Sequence, residues 1–241
     1  MTEPRVVAIM QPTYLPWIGY LAMIDRVDMF VYLDTVQFAR RSWQHRNRIK
    51  SAHGELLLSI PTFNKGRRDQ KIADVCIDWT TNFSDSHWRS IEMAYRKAKE
   101  FRRYAEELHA LLTRREERLA DYTIALSGWL CQKFGIETPV MRSSAIEYDG
   151  AKADALAAIC QSCGADRYLS APGSQEYIEE SDAFARAGVD VEYHRYRHPR
   201  YEQGAGEFLE YMSSIDLLFH HGGEAGLAIL KSGVVPERAD A

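Results

Sequence analysis

Two short, almost unbroken apolar runs, VVAIM at positions 6–10 and MFVYL at 29–33, constrain this chain more than any other feature. A run of that length without alternating polar residues reads as a strand covered on both faces, the condition of a strand in a parallel sheet flanked by helices. Between the two runs, LPWIGYLAMIDRV has helix-like apolar spacing at Leu15, Ile18, Leu21, Ala22 and Ile24, after a loop stiffened by Pro12 and Pro16. Strand, loop, helix and strand in that order is the unit from which open α/β sheets are wound.

The same grammar returns in the second half. Thr138–Arg142 and Arg167–Ser170 read as strands, separated by an alanine-rich helix over Ala151–Cys163 that stops at Gly164. A helix over Gln175–Ala187, a stop at Gly188 and a strand over Val189–Tyr196 follow. Between the blocks the spacing is helical from about 84 to 134, giving two or three helices with Gly135 as the natural C-terminal stop. Glu55–Pro61 and Val75–Asp78 read as further short strands, separated by TFNKGRRDQ, a candidate mobile loop. Phe208–His221 has helical spacing broken by Gly222 and Gly223, and the residues after Gly233 are expected to be loosely held. The expected class is α/β: a Rossmann-like, open, mostly parallel sheet in one domain over 1–241, with the helical region inserted between sheet segments.

Composition narrows the function. With 46% apolar and 27% charged residues and a net charge of -4, the chain has the balance of a soluble globular protein and not of one whose whole surface is built for nucleic acid. Its bases are concentrated locally, at Arg40, Arg41, Arg46, Arg48 and Lys50. No apolar run of about 18 residues is present and the N-terminus lacks a signal-peptide pattern, so a cytoplasmic location without membrane contact is expected. The four cysteines are expected to be free thiols. Cys160 and Cys163 form a CxxC late in an apolar helix without a second pair, so no metal site is expected there.

Ligands of open α/β sheets bind outside the carboxyl ends of the strands. That rule sets Gln11–Tyr20 beside Asp34–Asn47, and makes Gln11, Tyr14, Trp17, Gly19, Gln37, Arg40, Arg41, Trp43, Arg46, Asn47 and Arg48 candidate binding residues. The arginines suit planar anions such as phosphate or carboxylate; a plain solvated basic face is the competing reading. A third segment, YLSAPGSQEYI, offers Ser170, Gly173 and Ser174 as an anion nest or a simple tight turn. Asp34 and His45 are the candidate catalytic bases, since either group can take a proton from an attacking amine. No P-loop, G-x-G-x-x-G or G-x-S-x-G pattern occurs.

Five segments, QPTYLPWIGYL, VYLDTVQFARRSWQHRNRIK, AYRKA, YLSAPGSQEYI and IDLLFHHGG, resemble in content and order the WbqC-like family, often encoded with enzymes of O-antigen and other surface-glycan biosynthesis. The first two are also distantly similar to the adenylyl-transferring fold of pantothenate synthetase and the nucleotidylyltransferases. There an H-x-G-H signature holds ATP phosphates; here Trp17-Ile18-Gly19-Tyr20 stands in its place, and LDTVQF stands where N-P-x-Q-F contacts the acid.

The resemblance implies an enzyme joining a small acyl or aminoacyl group to the amine of a nucleotide-linked amino sugar. In that scheme Gln11 and Gln37 orient the acid, Gly19 admits a phosphate and the arginines hold phosphate charge. ATP with Mg2+ is the cofactor implied if the acid is activated in place. A sugar nucleotide is the expected partner, with an aminoacyl-tRNA donor the less favoured route. A non-catalytic sugar-nucleotide binder and a glycosyltransferase are the alternatives, the last weakened by the lack of a convincing D-x-D motif.

Overall fold

The computed structural model describes residues 3–63, 66–67 and 69–236. Its opening is the expected one: β1 (Val6–Met10), α1 (Ile18–Asp25) and β2 (Met29–Tyr32), with the strands parallel and Val7 opposite Met29. Val7, Ile9 and Val31 enter one apolar cluster, while Ala8, Phe30 and Tyr32 enter another on the opposite face. Both faces are covered, which is why neither run alternates with polar residues.

The basic segment expected to be a single loop ends in a strand. β3 (Arg46–Ser51) pairs antiparallel with β4 (Gly54–Ser59), Arg46 opposite Ser59, in a two-stranded ribbon separate from the main sheet. Its alternation escapes a hydrophobicity reading because the inward position 47 is a buried asparagine. Val75–Asp78 forms isolated bridges, Thr62 with Ile77 and Cys76 with Arg118, and no ladder. The loop before it lies partly outside the described residues.

The helical region is three helices, α2 (Phe83–Tyr95), α3 (Phe101–Thr113) and α4 (Leu119–Phe134). Gly135 closes α4 at φ +77, in the left-handed region a glycine adopts without a Cβ penalty, and its amide returns to the Cys131 and Gln132 carbonyls. Then come β5 (Val140–Arg142), α5 (Ala153–Ser162) and β6 (Arg167–Ser170), close to the expected bounds.

Three later expectations need correction. The single helix over 175–187 is two, α6 (Gln175–Glu179) and α7 (Ala183–Ala187), because the Ser181 hydroxyl accepts the Ala183 amide and restarts the chain. After β7 (Asp190–Tyr193), the helix expected over 208–221 is only α8 (Ile215–His221). Residues 208–214 instead obey tertiary bonds: Gln203 clips Leu209, the Ser213 amide donates to the Arg48 carbonyl, and the Ser214 amide donates to that of Pro16. A last helix, α9 (Gly223–Ser232), begins in the glycine pair read as a break. Val234 bridges Tyr196 and the Val235 amide donates to the Arg195 carbonyl, so the chain just past Gly233 is paired.

The main sheet is all-parallel in the order β5-β2-β1-β6-β7. α1 to α4, α8 and α9 cover one face, α5 and α7 the other. From β1 the chain winds outward through β2 to β5, then returns to the other side of β1 for β6 and β7. The reversal falls between β1 and β6, and it opens a crevice at their carboxyl ends where open α/β sheets bind ligands. Among the described residues no helix is long and apolar enough to cross a membrane, and no group of three or more His, Cys, Asp or Glu side chains could hold a metal ion.

Candidate functional site

A cleft of about 340 Å³ occupies the switch point. β1 contributes Met10 and the following Gln11 and Thr13, the basic segment contributes Ser42, Trp43 and Gln44, and the turn after β6 contributes Gly173, Ser174 and Tyr177. Two hydrogen bonds lock the first two segments together: the Gln44 amide donates to Gln11 Oε1 at 2.7 Å, and the Tyr14 backbone N–H to the Trp43 carbonyl at 3.1 Å. Ser170 is buried behind the third, its hydroxyl 2.6 Å from that of Ser174. It positions Ser174 and does not line the cleft.

A second cavity of about 300 Å³ adjoins it, lined by Trp17, Tyr20, Asn47, Arg48 and Tyr211, and sharing Met10, Thr13 and Trp43 with the first. Trp43 is therefore the ridge between the two. It is 47% exposed, and the guanidinium groups of Arg46 and Arg48 lie 5.6 and 5.2 Å from its ring centroid. Neither Arg46 Nε nor Arg48 Nε has a hydrogen-bond partner, although Arg48 Nη1 pairs with Glu55 at 2.8 Å.

The other expected residues are placed elsewhere. Tyr14 is fully buried, its hydroxyl 2.8 Å from His87 Nδ1, and it anchors the first loop to the helical layer. The Asn47 amide donates to the Tyr14 and Leu15 carbonyls, so this side chain ties β3 to that loop. Gln37 and Arg40 line a separate cavity with Phe38 and Arg67, and Arg41 is exposed at φ +60.

The two candidate bases stand back from the cleft. Asp34 is fully buried and accepts from Ser143 Oγ, the Ser144 amide and Ser144 Oγ at 3.0, 2.9 and 2.8 Å. His45 packs on Phe38, its ring centroid 5.3 Å away, and lines neither cavity. Burial, and then the neighbouring Arg46, pushes its imidazole pKa down, which keeps it neutral near pH 7. No carboxylate, imidazole or amine is among the residues lining the switch-point cleft. Its wall can orient a neutral polar ligand through amides and hydroxyls, and it brings no proton acceptor of ordinary basicity to the bound group.

The turn into α1 does not fit ATP phosphates. Tyr20 donates its hydroxyl proton to the Gln11 carbonyl at 3.0 Å, and the space above Gly19 is filled by the Trp17 indole. A Cβ on Gly19 would lie 2.1 Å from that ring, so Gly19 admits its own chain's aromatic and not a phosphate. Trp17 is boxed by Tyr196 and Tyr211, with centroids 5.4 and 5.2 Å away, and cannot swing aside freely. Gly19→Ala, which would stabilise an open helix position by about 1 kcal/mol, is instead expected to destabilise by about 1–2 kcal/mol through overpacking; a rise in melting temperature by circular dichroism would refute this.

Thr13 and Tyr177 belong to the cleft without having been named as candidate residues, although each lies within a segment that was singled out. Tyr211 had no sequence signal, since it reaches the second cavity only through the bonds of Ser213 and Ser214 to distant carbonyls.

Comparison with known proteins agrees with the motif resemblance. Residues 11–227 match the model of the WbqC-like protein family. A Mycobacterium tuberculosis relative, "Uncharacterized protein Rv1507c", is 35% identical over 223 residues, covering 92% of this chain and 96% of the relative. No solved structure matches the chain significantly. With a family match running from the cleft residue Gln11 into α9, this chain belongs to the WbqC-like family.

Proposed function

We propose that this protein is a transferase of surface-glycan biosynthesis, placing a small acyl or aminoacyl group on the amine of a nucleotide-linked amino sugar. Association of the WbqC-like family with glycan biosynthesis supports the pathway. The observation that carries the ligand class is the uncharged cleft at the sheet's switch point, mostly apolar, into which the polar groups of Gln11, Gln44 and Ser174 converge beside Gly173. With the Gly19 turn closed by Trp17, the acyl donor is read as arriving already activated, as a thioester or ester. The amine nitrogen then bonds to the acyl carbon, the carbon–sulfur or carbon–oxygen bond breaks, and the amine proton leaves with the departing thiol or hydroxyl or to water. Such a donor needs little help from a protein base, consistent with two adjoining cavities whose linings contain no carboxylate or imidazole.

That same wall favours a second reading, a sugar-nucleotide-binding protein without turnover. A thermal-shift screen with UDP-, dTDP- and GDP-linked sugars tests what both readings share. Ligand at 100 times its Kd stabilises by about 2.7 kcal/mol, or roughly 5–10 °C for a chain of this size. Gly173→Leu has open space at its Cβ and is expected to keep the fold while abolishing that shift. No shift with any sugar nucleotide would sink both readings, and product formation from an activated donor would separate them.

A further inference from the structure

The second cavity has features that packing alone leaves unexplained. Tyr211 is held at φ +62, a left-handed conformation costly for a bulky side chain, and still leaves its ring 46% exposed. Trp43, on the same cavity, is 47% exposed. Two half-open aromatics, one on strained backbone, line a space of about 300 Å³. That size lies at the small end of ligand sites and close to that of the switch-point cleft, so each cavity suits one part of a longer ligand.

Charge narrows the occupant. Aromatic walls suit a cationic group, but Arg48, its Nη1 paired with Glu55, lines this cavity and already takes the cation's place over Trp43. A neutral ring with an apolar face fits. Connectivity then supplies its identity: a nucleotide seated at the switch point has Met10, Thr13 and Trp43 as the walls it shares with the second cavity, so whatever follows its phosphates passes over the Trp43 ridge. At that ridge the guanidinium groups of Arg46 and Arg48 lie over the Trp43 ring, cations set beside the route a diphosphate would take.

We infer that the second cavity is a carbohydrate subsite, in which the pyranose of a sugar nucleotide lies against the rings of Trp43 and Tyr211 while its diphosphate crosses beneath Arg46 and Arg48. This rests on the switch-point cleft holding the nucleotide. The reacting amine would then sit in the aromatic cavity, and Tyr211 is its specificity-determining side chain.

Isothermal titration tests it with three pairs: UDP-N-acetylglucosamine against UDP, dTDP-glucose against dTDP, and GDP-mannose against GDP. For at least one pair the sugar nucleotide is expected to bind the wild-type protein about fivefold more tightly than its free diphosphate. That ratio should fall to about one in Tyr211→Gly and persist in Tyr211→Phe. Glycine accepts φ +62 without strain, which offsets packing lost against Trp17 and His198, and a melting temperature within a few degrees of wild type shows that a lost preference is not a folding artefact. An unchanged ratio in Tyr211→Gly overturns the subsite. Equal weakening of sugar nucleotide and free diphosphate overturns it too, placing the base in this cavity. If none of the six compounds binds wild type, the nucleotide reading itself falls, and the subsite with it.

Discussion

Taking the protein from pH 7 to pH 5 is expected to remove about 4 kcal/mol of folding stability, through two buried histidines. His87 and His194 are 6% and 5% exposed, and burial pushes both imidazoles down to about 4 from an ordinary 6.5. Burial is the larger cause in each; the Arg26 guanidinium adds to it at His194. The hydrogen bonds agree with a neutral His194: Nδ1 accepts from Arg26 at 3.0 Å while Nε2 donates to the Gly19 carbonyl at 3.1 Å. Because the folded pKa lies below the unfolded one, only the unfolded chain takes up protons between 6.5 and 4. Stability therefore falls as pH drops through that window, by about 2 kcal/mol per histidine at pH 5. Asp216 acts in the opposite direction, since burial raises its carboxyl and the folded state gains as the pH falls through that raised value. Urea midpoints at pH 7 and pH 5 in constant salt measure the sum, and His194→Gln, which keeps an acceptor and a donor but does not titrate, should remove about half of the drop. Equal midpoints in wild type would mean that these histidines charge freely in the folded protein.

Asp34→Ala is expected to lower stability by about 3 kcal/mol, because it removes the buried carboxylate shared by the fully buried Ser143 hydroxyl and by the Ser144 amide and hydroxyl. The carboxylate joins the end of β2 to the turn after β5, so its loss loosens two strand ends beside each other in the sheet. For a chain of this size the melting temperature should fall by roughly 6–12 °C. Asp34→Asn keeps an oxygen for Ser143 and Ser144 and should lose about 1 kcal/mol. The pair also tests catalysis. A tie loses melting temperature in step with activity, whereas a base loses turnover in Asp34→Asn with the fold intact.

The elements legible in the sequence were those specified by local periodicity and punctuation. β1 and β2 are short apolar runs whose side chains meet a covered face on either side of the sheet. α4 shows its stripe and its glycine stop, and Gly164 and Gly188 end their segments at φ +65 and +67. That Gln11, Trp43, Gly173 and Ser174 would share one cleft was legible because the strand-end rule applies as soon as the strands are known.

Residues whose position depends on a distant partner were not. β3 hid because buried Asn47 is satisfied by the Tyr14 and Leu15 carbonyls, bonds that no hydrophobic pattern announces. α9 hid because Gly223 reads as a breaker, yet it is the residue that lets the helix approach the Lys133 carbonyl, which lies 2.0 Å from where a Cβ would be. Asp34 and His45 carry the right chemistry at the right strand end, and folding turned one into a buried tie and set the other behind Phe38.

The sequence by itself determined the strands and helices that local periodicity specifies, β1, α1, β2 and α4 among them, and that a sheet of parallel strands would gather their loops at one edge. Periodicity is a property of neighbours along the chain, so it carries that much. Only the tertiary structure decided that β6 returns beside β1, that Trp43 stands between two cavities, and that Tyr211 joins the second. Those outcomes depend on hydrogen bonds and packing between segments far apart in the chain, and they exist only once the whole sheet has closed around them.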